Sequence, residues 1–258
     1  MYYKHKNMTI NYEKYGNCKK TIIILPGWGN TRNTFNYIIN HFKDKYTIYI
    51  FDYPSFGKSP LPNKTLTIYD YADTIYDFLK KEKIIKPIII AHSFGGRITS
   101  ILLGKLNYKT NKIILIDVAG IKETKNIKVS IKTIIYKLLI KLTIFIPKRK
   151  RSNIKTKLFN TFSSSDYKEL PKIMRQTFQN IVKENLLKYY KNIDCETLII
   201  WGEKDKDTSI KSAYIINKVI KDSGLIIIKD GNHFSYLKNP YTFNIIIEEY
   251  ISKKELHM

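Results

Sequence analysis

The chain has 258 residues, enough to bury a full core as one domain with an insertion. Its 45 Lys and Arg against 22 Asp and Glu give a net charge of +23, but the lysines are scattered, which fits a solvated surface better than a nucleic-acid footprint. The two cysteines exclude a disulfide framework and a paired metal-ligand spacing, and they favour a reducing, cytoplasmic location. No secretion signal and no apolar run of about 18 residues is apparent, so no membrane span is expected.

Predicted strands and helices alternate along the chain. The first fifteen residues predict an antiparallel edge pair. Nearly unbroken aliphatic runs, typical of strands covered on both faces, then follow at Thr21–Leu25, Tyr46–Phe51, Pro87–Ile90, Ile113–Ile116, Thr197–Trp201 and Leu225–Ile228. Amphipathic stretches such as Ile68–Lys80 and Ser209–Lys221 predict helices between them. This order favours βαβ units in an α/β domain with a mostly parallel sheet.

The alternation stops once, between Gly120 and Cys195. Residues 121–196 have a helical pattern and carry 18 Lys and Arg against six Asp and Glu. An apolar stripe recurs there at helical spacing, at Ile127, Ile131, Ile134, Ile135, Leu138 and Leu142. We predict a helical cap at 121–196, inserted into a core made of 1–120 and 197–258. The stripe predicts packing on that core; the alternative is a cationic amphipathic helix that contacts a membrane surface or an amphipathic substrate.

A serine stands at the turn between a predicted strand and a predicted helix, in Ala-His-Ser-Phe-Gly-Gly at 91–96. Ala91 and Gly95 lie two residues before and after Ser93, where the two backbones crowd together and only small side chains fit. Such a turn holds the serine in a strained, exposed conformation. We therefore predict that Ser93 is a nucleophile; the alternative is an ordinary strand-to-helix turn.

A serine nucleophile needs a base and an acid that orients the base. Of the five histidines, His233 is the best candidate for the base, because it lies in a glycine loop directly after the last predicted strand. His92 adjoins the serine, and neighbouring side chains at such a turn point apart. The loop after Thr197–Trp201 offers Asp205 as the acid. The alternatives for the acid are Asp207 and Asp117.

The developing oxyanion needs backbone amides as donors. We expect one donor from Phe94, the residue after the nucleophile. The other is predicted at Trp28, in the loop after the first aliphatic run, where Gly27 and Gly29 give the backbone freedom to turn its amides inward. The Trp28 indole would then form a wall of the pocket. A plain turn is the alternative interpretation of this loop.

Together these residues resemble the α/β-hydrolase superfamily over roughly residues 8–252. The resemblance is carried by LPGWGN at 25–30, DYPSFGKS at 52–59, AHSFGG at 91–96, WGEKD at 201–205 and GNHFSYL at 231–237. It implies an eight-stranded, mostly parallel sheet flanked by helices, with a helical cap inserted after the sixth strand. It also implies the chain order serine, acid, histidine. Two residues at the edge of the expected substrate pocket depart from the family pattern: Pro26 stands where the family often has His, and Ala91 stands where it usually has Gly. Asp52 and Ser59 match a family sequence block, and we expect them to stabilise a turn rather than to take part in catalysis.

The resemblance implies a serine hydrolase that cleaves a carboxylic ester or related acyl bond through Ser93, His233, Asp205 and an acyl-enzyme. No cofactor and no metal are expected. The substrate would be a small acyl compound with an apolar part, because the predicted cap contains Phe145, Phe159, Phe162 and Phe178. Three alternatives stay open: a carbon–carbon bond hydrolase or an acyl transferase with the same triad, and a non-catalytic ligand-binding protein of the same fold.

Overall fold

The computed structural model describes residues 1–122, 138–139, 141–143, 151, 153–154 and 169–253. Its centre is an eight-stranded sheet in the order β1-β2-β4-β3-β5-β6-β7-β8. The strands are β1 (Tyr2–His5), β2 (Met8–Tyr15), β3 (Thr21–Leu25), β4 (Thr47–Asp52), β5 (Ile88–His92), β6 (Lys112–Ile116), β7 (Glu196–Gly202) and β8 (Ser223–Ile228). The predicted eight-stranded, mostly parallel sheet is therefore confirmed.

The two N-terminal strands are the antiparallel part of this sheet. β1 pairs with β2 and β2 pairs with β4, both antiparallel, as expected for an edge pair. From β4 to β8 every pairing is parallel. The carboxyl ends of six strands therefore meet at one edge of the sheet, where ligands bind in open α/β sheets.

The aliphatic runs are buried on both faces of the sheet. In β3, Ile23 and Leu25 belong to one core cluster, whereas Ile22 and Ile24 belong to the cluster on the other face. All four side chains are fully buried. Unbroken aliphatic runs, rather than an alternation of apolar and polar residues, follow directly from this double covering.

Helices cover both faces. The described helices, numbered in chain order, are α1 (Asn36–Phe42), α2 (Ile68–Lys81), α3 (Phe94–Gly104), α4 (Lys172–Lys183), α5 (Leu187–Tyr190), α6 (Ile210–Val219) and α7 (Pro240–Ser252). Residues of α1 and α7 contribute to the cluster of Ile22 and Ile24, and residues of α2, α3, α5 and α6 to the other cluster. None of the helices in the described part of the chain has the length and apolarity of a bilayer-spanning segment.

The predicted insertion is described only in part. Its segment nearest to β7 packs on the core, because Leu186, Tyr190 and Ile193 are buried in the same cluster as α3. Leu138 and Leu142 of the predicted apolar stripe are 56% and 49% exposed. The other stripe positions, Ile127, Ile131, Ile134 and Ile135, and the aromatic positions Phe145, Phe159 and Phe162 lie outside the described residues. The cap at 121–196 remains a prediction.

Candidate active site

Ser93 lies at the turn between β5 and α3, in a conformation that few residues adopt. Its φ of 48° and ψ of −108° are unfavourable for any residue other than glycine. The neighbouring glycines make this turn fit: a Cβ at Gly95 would lie 2.0 Å from the carbonyl oxygen of Leu25, and one at Gly96 would lie 2.3 Å from the Cβ of Val118. The small residues of the motif are thus required by the close approach of β3 and the segment after β6.

A continuous hydrogen-bonded chain begins at this serine. His233 Nε2 lies 2.9 Å from Ser93 Oγ, and His233 Nδ1 lies 2.9 Å from Asp205 Oδ2. Because an ionised carboxylate only accepts hydrogen bonds, we assign the ring proton to Nδ1, which leaves Nε2 to accept from the serine hydroxyl. The fold thus brings together the three side chains that the sequence places at 93, 205 and 233.

The Asp205 carboxylate is fully inaccessible to solvent. Oδ1 accepts from the backbone amides of Asp207 (2.8 Å) and Thr208 (3.0 Å), while Oδ2 accepts from the Thr208 hydroxyl (2.6 Å) and from His233. Burial alone would raise the pKa of Asp205, but the hydrogen bonds from His233 and Thr208 outweigh it and the pKa is lowered. The carboxylate is therefore ionised at neutral pH.

The His233 imidazole is largely buried, with 13% of its side chain exposed. Burial acts to lower the pKa of His233, but the hydrogen bond and the charge of Asp205 act in the opposite direction and prevail, so the pKa is raised. A raised pKa makes this imidazole a stronger proton acceptor than an isolated histidine.

Sequence reasoning missed two neighbours of this chain. One is Thr208; its signal in the sequence is Asp205 itself, since Asp side chains in loops accept from nearby backbone amides. The other is His92, which is fully buried and donates from Nε2 to the carbonyl oxygen of His233 at 2.8 Å. Asn30 Nδ2 lies 3.3 Å from His92 Nδ1.

Burial lowers the pKa of His92 to about 3, with the nearby His233 charge acting in the same direction. The ring is therefore neutral at physiological pH. It accepts from Asn30 on the loop after β3 and donates to the backbone of His233, so it links these two loops. No hydroxyl or carboxylate among the described residues hydrogen-bonds to the ring, so its bonds are those of a structural residue rather than of a base.

Neither alternative acid hydrogen-bonds to His233 in the described part of the chain. The exposed Asp207 contributes its backbone amide to Asp205. Asp117 is fully buried and binds Gly202 and Ser235 instead. Ligand atoms of Asp205, Asp207 and His233 lie within 4.8 Å of one another, a spacing that a metal ion could bridge. An ion there would have to displace the Asp205–His233 hydrogen bond, so we assign no metal to these residues.

The predicted oxyanion donors lie on two adjoining loops. β3 and β5 are paired in parallel, with Leu25 opposite Ala91, so the loop that carries Trp28 follows beside the serine turn. The rings of Trp28 and Phe94 are in edge contact, with centroids 5.3 Å apart. No described residue accepts a hydrogen bond from the backbone amide of either residue. The Trp28 indole also contacts Phe178 of α4, with ring centroids 5.4 Å apart.

Asp52 and Ser59 lie apart from this chain of hydrogen bonds. Asp52 Oδ2 accepts from the amide of Lys58 at 2.9 Å, and the Ser59 hydroxyl donates to the carbonyl oxygen of Asp52 at 2.6 Å. These bonds close the turn after β4, in agreement with a turn-holding role.

Known proteins resemble this chain in sequence and in fold. Residues 20–131, which contain β3 to β6 and the serine turn, match the family model described as the alpha/beta hydrolase fold. The chain has the α/β-hydrolase fold. A curated relative, the pimeloyl-[acyl-carrier protein] methyl ester esterase of Wigglesworthia glossinidia brevipalpis, is 27% identical to this chain over 92% of the chain and 96% of that protein.

Solved structures resemble this chain in fold. The enzyme MGS-M2, an alpha/beta hydrolase from a deep-sea metagenome library of the Medee basin, superposes with a TM-score of 0.77 and 17% identity over 100% of this chain and 99% of that one. The esterase EaEST of Exiguobacterium antarcticum gives a TM-score of 0.72 and 21% identity over 95% and 96% of the two chains. At this identity the similarity concerns the fold.

Proposed function

We propose that this protein is a serine esterase in which Ser93, His233 and Asp205 form the catalytic triad. The observation that carries the proposal is the hydrogen-bonded chain from Ser93 Oγ through both ring nitrogens of His233 to Asp205, with 2.9 Å at each link. A hydroxyl is a weak nucleophile by itself, and a base within hydrogen-bonding distance makes it reactive.

In the first half of the reaction Ser93 Oγ attacks the ester carbonyl carbon while His233 Nε2 takes the hydroxyl proton. Asp205 holds the imidazole in the tautomer with Nδ1–H and stabilises the imidazolium. The amides of Trp28 and Phe94 donate to the oxyanion of the tetrahedral intermediate. The imidazolium then returns its proton to the departing alcohol, and an acyl-serine remains.

In the second half a water molecule attacks the acyl-serine. His233 Nε2 takes the water proton, a second tetrahedral intermediate forms at the same oxyanion site, and the proton passes back to Ser93 Oγ as the acid leaves. No metal and no cofactor take part. The same groups would serve a carbon–carbon bond hydrolase or an acyl transferase; an ester is preferred because curated and structural relatives are named esterases.

Fluorophosphonate labelling tests the proposal together with a panel of p-nitrophenyl esters of increasing acyl length. Wild type should be labelled at Ser93 and should hydrolyse at least one member of the panel. Ser93→Ala should abolish labelling and lower kcat by roughly 10⁴-fold or more. Binding of an acyl compound that survives in Ser93→Ala, with a wild-type Ser93 that resists the probe, would identify a non-catalytic ligand-binding protein instead.

The substrate class is a finer part of the proposal. The proposed substrate is a small acyl compound whose apolar part packs against Trp28 and Phe178, whose ring centroids lie 5.4 Å apart. A second candidate is a methyl ester carried on an acidic carrier protein. It is favoured by the relative named for such a substrate and by the surplus of 12 positive charges within residues 121–196.

The two substrate classes differ in their response to salt. A carrier-bound methyl ester should have a kcat/KM that falls steeply between 50 and 300 mM salt, because the charges on both proteins are screened. The same acyl methyl ester without the carrier should show little change. Equal salt dependence of the two esters would remove the carrier protein from the proposal.

A further inference from the structure

Asp117 is a fully buried carboxylate that the proposed mechanism does not use. It directly follows β6, between the serine turn after β5 and the Asp205 loop after β7. Its backbone has a φ of 46°, in the left-handed region that non-glycine residues rarely adopt. A strained, buried carboxylate needs specific partners to be retained at this edge of the sheet.

The partners of its side chain lie on two other loops. Oδ1 accepts from the amide of Gly202 at 2.7 Å, and Oδ2 accepts from the amide (3.1 Å) and the hydroxyl (2.6 Å) of Ser235. Gly202 ends β7 three residues before Asp205, and Ser235 follows His233 by two residues. One carboxylate thus joins the acid-bearing loop to the base-bearing loop.

The backbone around Asp117 reaches the serine turn. The carbonyl oxygen of Ile116 accepts from the amide of Ser93 at 3.0 Å, and the amide of Ala119 donates to the carbonyl oxygen of Ser93 at 2.9 Å. The Thr208 hydroxyl, which donates its proton to Asp205 Oδ2 at 2.6 Å, lies 3.1 Å from the carbonyl oxygen of Asp117. Residues 116–119 therefore contact the loops of all three triad residues.

We propose that Asp117 is a positioning residue whose carboxylate fixes the Asp205 loop and the His233 loop relative to Ser93. The inference rests on the proposed serine hydrolase, since positioning has a meaning only if these three side chains react together. The bonds to Gly202 and Ser235 set the distance between the two loops. The backbone bonds of residues 116 and 119 set the distance of that pair from the serine.

The same carboxylate adds negative charge beside the base. Burial raises the pKa of Asp117 to about 7, against the effect of its three hydrogen-bond donors. The titratable groups coupled to it are Asp205 after β7 and His233 and Tyr236 after β8. The charge of Asp117 adds to that of Asp205 in raising the pKa of His233. Replacing the carboxylate should therefore weaken the base as well as loosen its loop.

Asp117→Asn tests the proposal, with Lys112→Gln as the matched control. Asparagine has nearly the same size, but its amide group cannot accept from donors on both loops. We expect kcat for the best ester of the panel to fall roughly 10- to 100-fold, with KM within about threefold of wild type. The acid limb of the pH profile of kcat/KM should move to lower pH, because His233 loses a neighbouring negative charge.

Lys112 is also buried and charged, and it begins the strand that Asp117 follows. Its ammonium binds the carbonyl oxygens of Tyr250 and Lys253, each at 2.8 Å, at the opposite edge of the sheet. Lys112→Gln should lower Tm but leave kcat and the pH profile as in wild type. A role for Asp117 in stability alone would give the same pattern in Asp117→Asn.

Ser235→Ala provides a second measurement that does not change a charge. It removes the 2.6 Å hydroxyl bond and leaves the amide bond of the same residue. We expect a several-fold fall in kcat, and in the double variant with Asp117→Asn a loss smaller than the product of the single losses. If Asp117→Asn does not fold, the rate of Ser235→Ala decides.

The inference is overturned if Asp117→Asn, or Ser235→Ala in its place, retains wild-type kcat and pH profile. Labelling of wild-type Ser93 by the fluorophosphonate separates this outcome from failure of the proposed function. A wild type that is neither labelled nor active refutes the serine esterase. A wild type that is labelled and active, beside variants that react equally fast, refutes only the positioning role.

Discussion

A buried charged residue lies at each end of β6, and the two residues bind different kinds of partners. At the amino end, Lys112 binds two carbonyl oxygens at the C-terminal end of α7 and, at 3.2 Å, the carboxylate of Glu196. All these partners belong to regular secondary structure or its cap. At the carboxyl end, Asp117 binds the last residue of β7 and a residue of the loop after β8. Lys112 at the amino end thus connects a helix to the sheet, whereas Asp117 at the carboxyl end connects the loops that carry the proposed reactive side chains.

Positive φ values occur at both edges of the sheet: Ser93 and Asp117, directly after β5 and β6, have 48° and 46°, and Lys86, two residues before β5, has 46°. Such conformations persist only where the surroundings fix them. At the carboxyl edge they occur in the loops that hold the proposed triad, so substitutions there should change rates more than those at the amino edge.

The largest expected effect is that of His233→Ala. Without the imidazole, no described side chain accepts the Ser93 proton, and kcat for the best ester should fall by about 10⁴- to 10⁶-fold. Because Ser93 and His233 act as one unit, adding Ser93→Ala should cause little further loss. Steady-state hydrolysis with active-site labelling measures both effects; a His233→Ala variant within tenfold of wild type would contradict the triad.

Asp205→Asn should lower kcat by about 10³- to 10⁴-fold, because the amide favours the wrong imidazole tautomer. The catalytic base must be neutral, so activity is lost as the pH falls through the pKa of His233. That pKa is raised in wild type by Asp205, so the acid limb of kcat/KM should shift to lower pH in the variant.

Asp207→Asn is the control for this change, since Asp207 contributes only its backbone amide to Asp205. It should stay within about threefold of wild type at neutral pH, and its acid limb should shift less than that of Asp205→Asn, because the charge of Asp207 raises the pKa of His233 less than Asp205 does. A larger loss in Asp207→Asn than in Asp205→Asn would show that the acid has been assigned to the wrong carboxylate.

Lys112→Gln tests whether a substitution at the amino edge of the sheet lowers stability without changing the rate. Loss of the ammonium leaves two carbonyl oxygens at the end of α7 poorly paired, and we expect the free energy of unfolding to fall by about 1–3 kcal/mol. Urea denaturation measures this, with kcat determined well below the transition. A rate that falls along with stability would abolish the distinction between the two edges.

The smallest expected effect is the pH dependence of stability. The pKa of Asp205 is lowered in the folded state, so its contribution is present above its unfolded pKa and is lost as the pH falls through the folded pKa. The pKa of His233 is raised, so its contribution is complete below an unfolded pKa of about 6.5 and is lost as the pH rises through the folded pKa.

Urea denaturation of wild type and His233→Ala between pH 5 and 9 checks the histidine part. The stability advantage of wild type should be largest at pH 5 and should shrink towards pH 9. A constant difference would mean that the imidazole contributes only packing.

Much of the sheet was predictable because the strands from β3 to β8 consist largely of aliphatic runs. β3 is predicted with both ends correct, whereas β5 continues past the predicted Ile90 to His92. Ala91 and His92 are buried in the sheet like their neighbours, but they do not extend an aliphatic pattern. The sequence signals burial through apolar side chains, so a strand that ends in a small or polar residue is predicted too short.

The loop positions of Ser93, Asp205 and His233 were predictable because each follows a strand at the same edge of a parallel sheet. The contacts of Asp117 and His92 were not, since they join residues 118 and 141 positions apart along the chain. Nothing in a local pattern specifies which distant amide or carbonyl group a buried polar side chain will meet. Such contacts appear only once the register of β5 to β8 is known.

The contact between Trp28 and Phe178 has a practical consequence. The chain has two tryptophans, and the other, Trp201, is fully buried with its indole bonded to the carbonyl oxygen of Thr208 at 3.1 Å. If acyl groups bind beside Trp28 as proposed, they should alter the fluorescence of this indole more than that of the buried Trp201. Stopped-flow emission would then follow acylation and deacylation directly, even for substrates that release no chromophore.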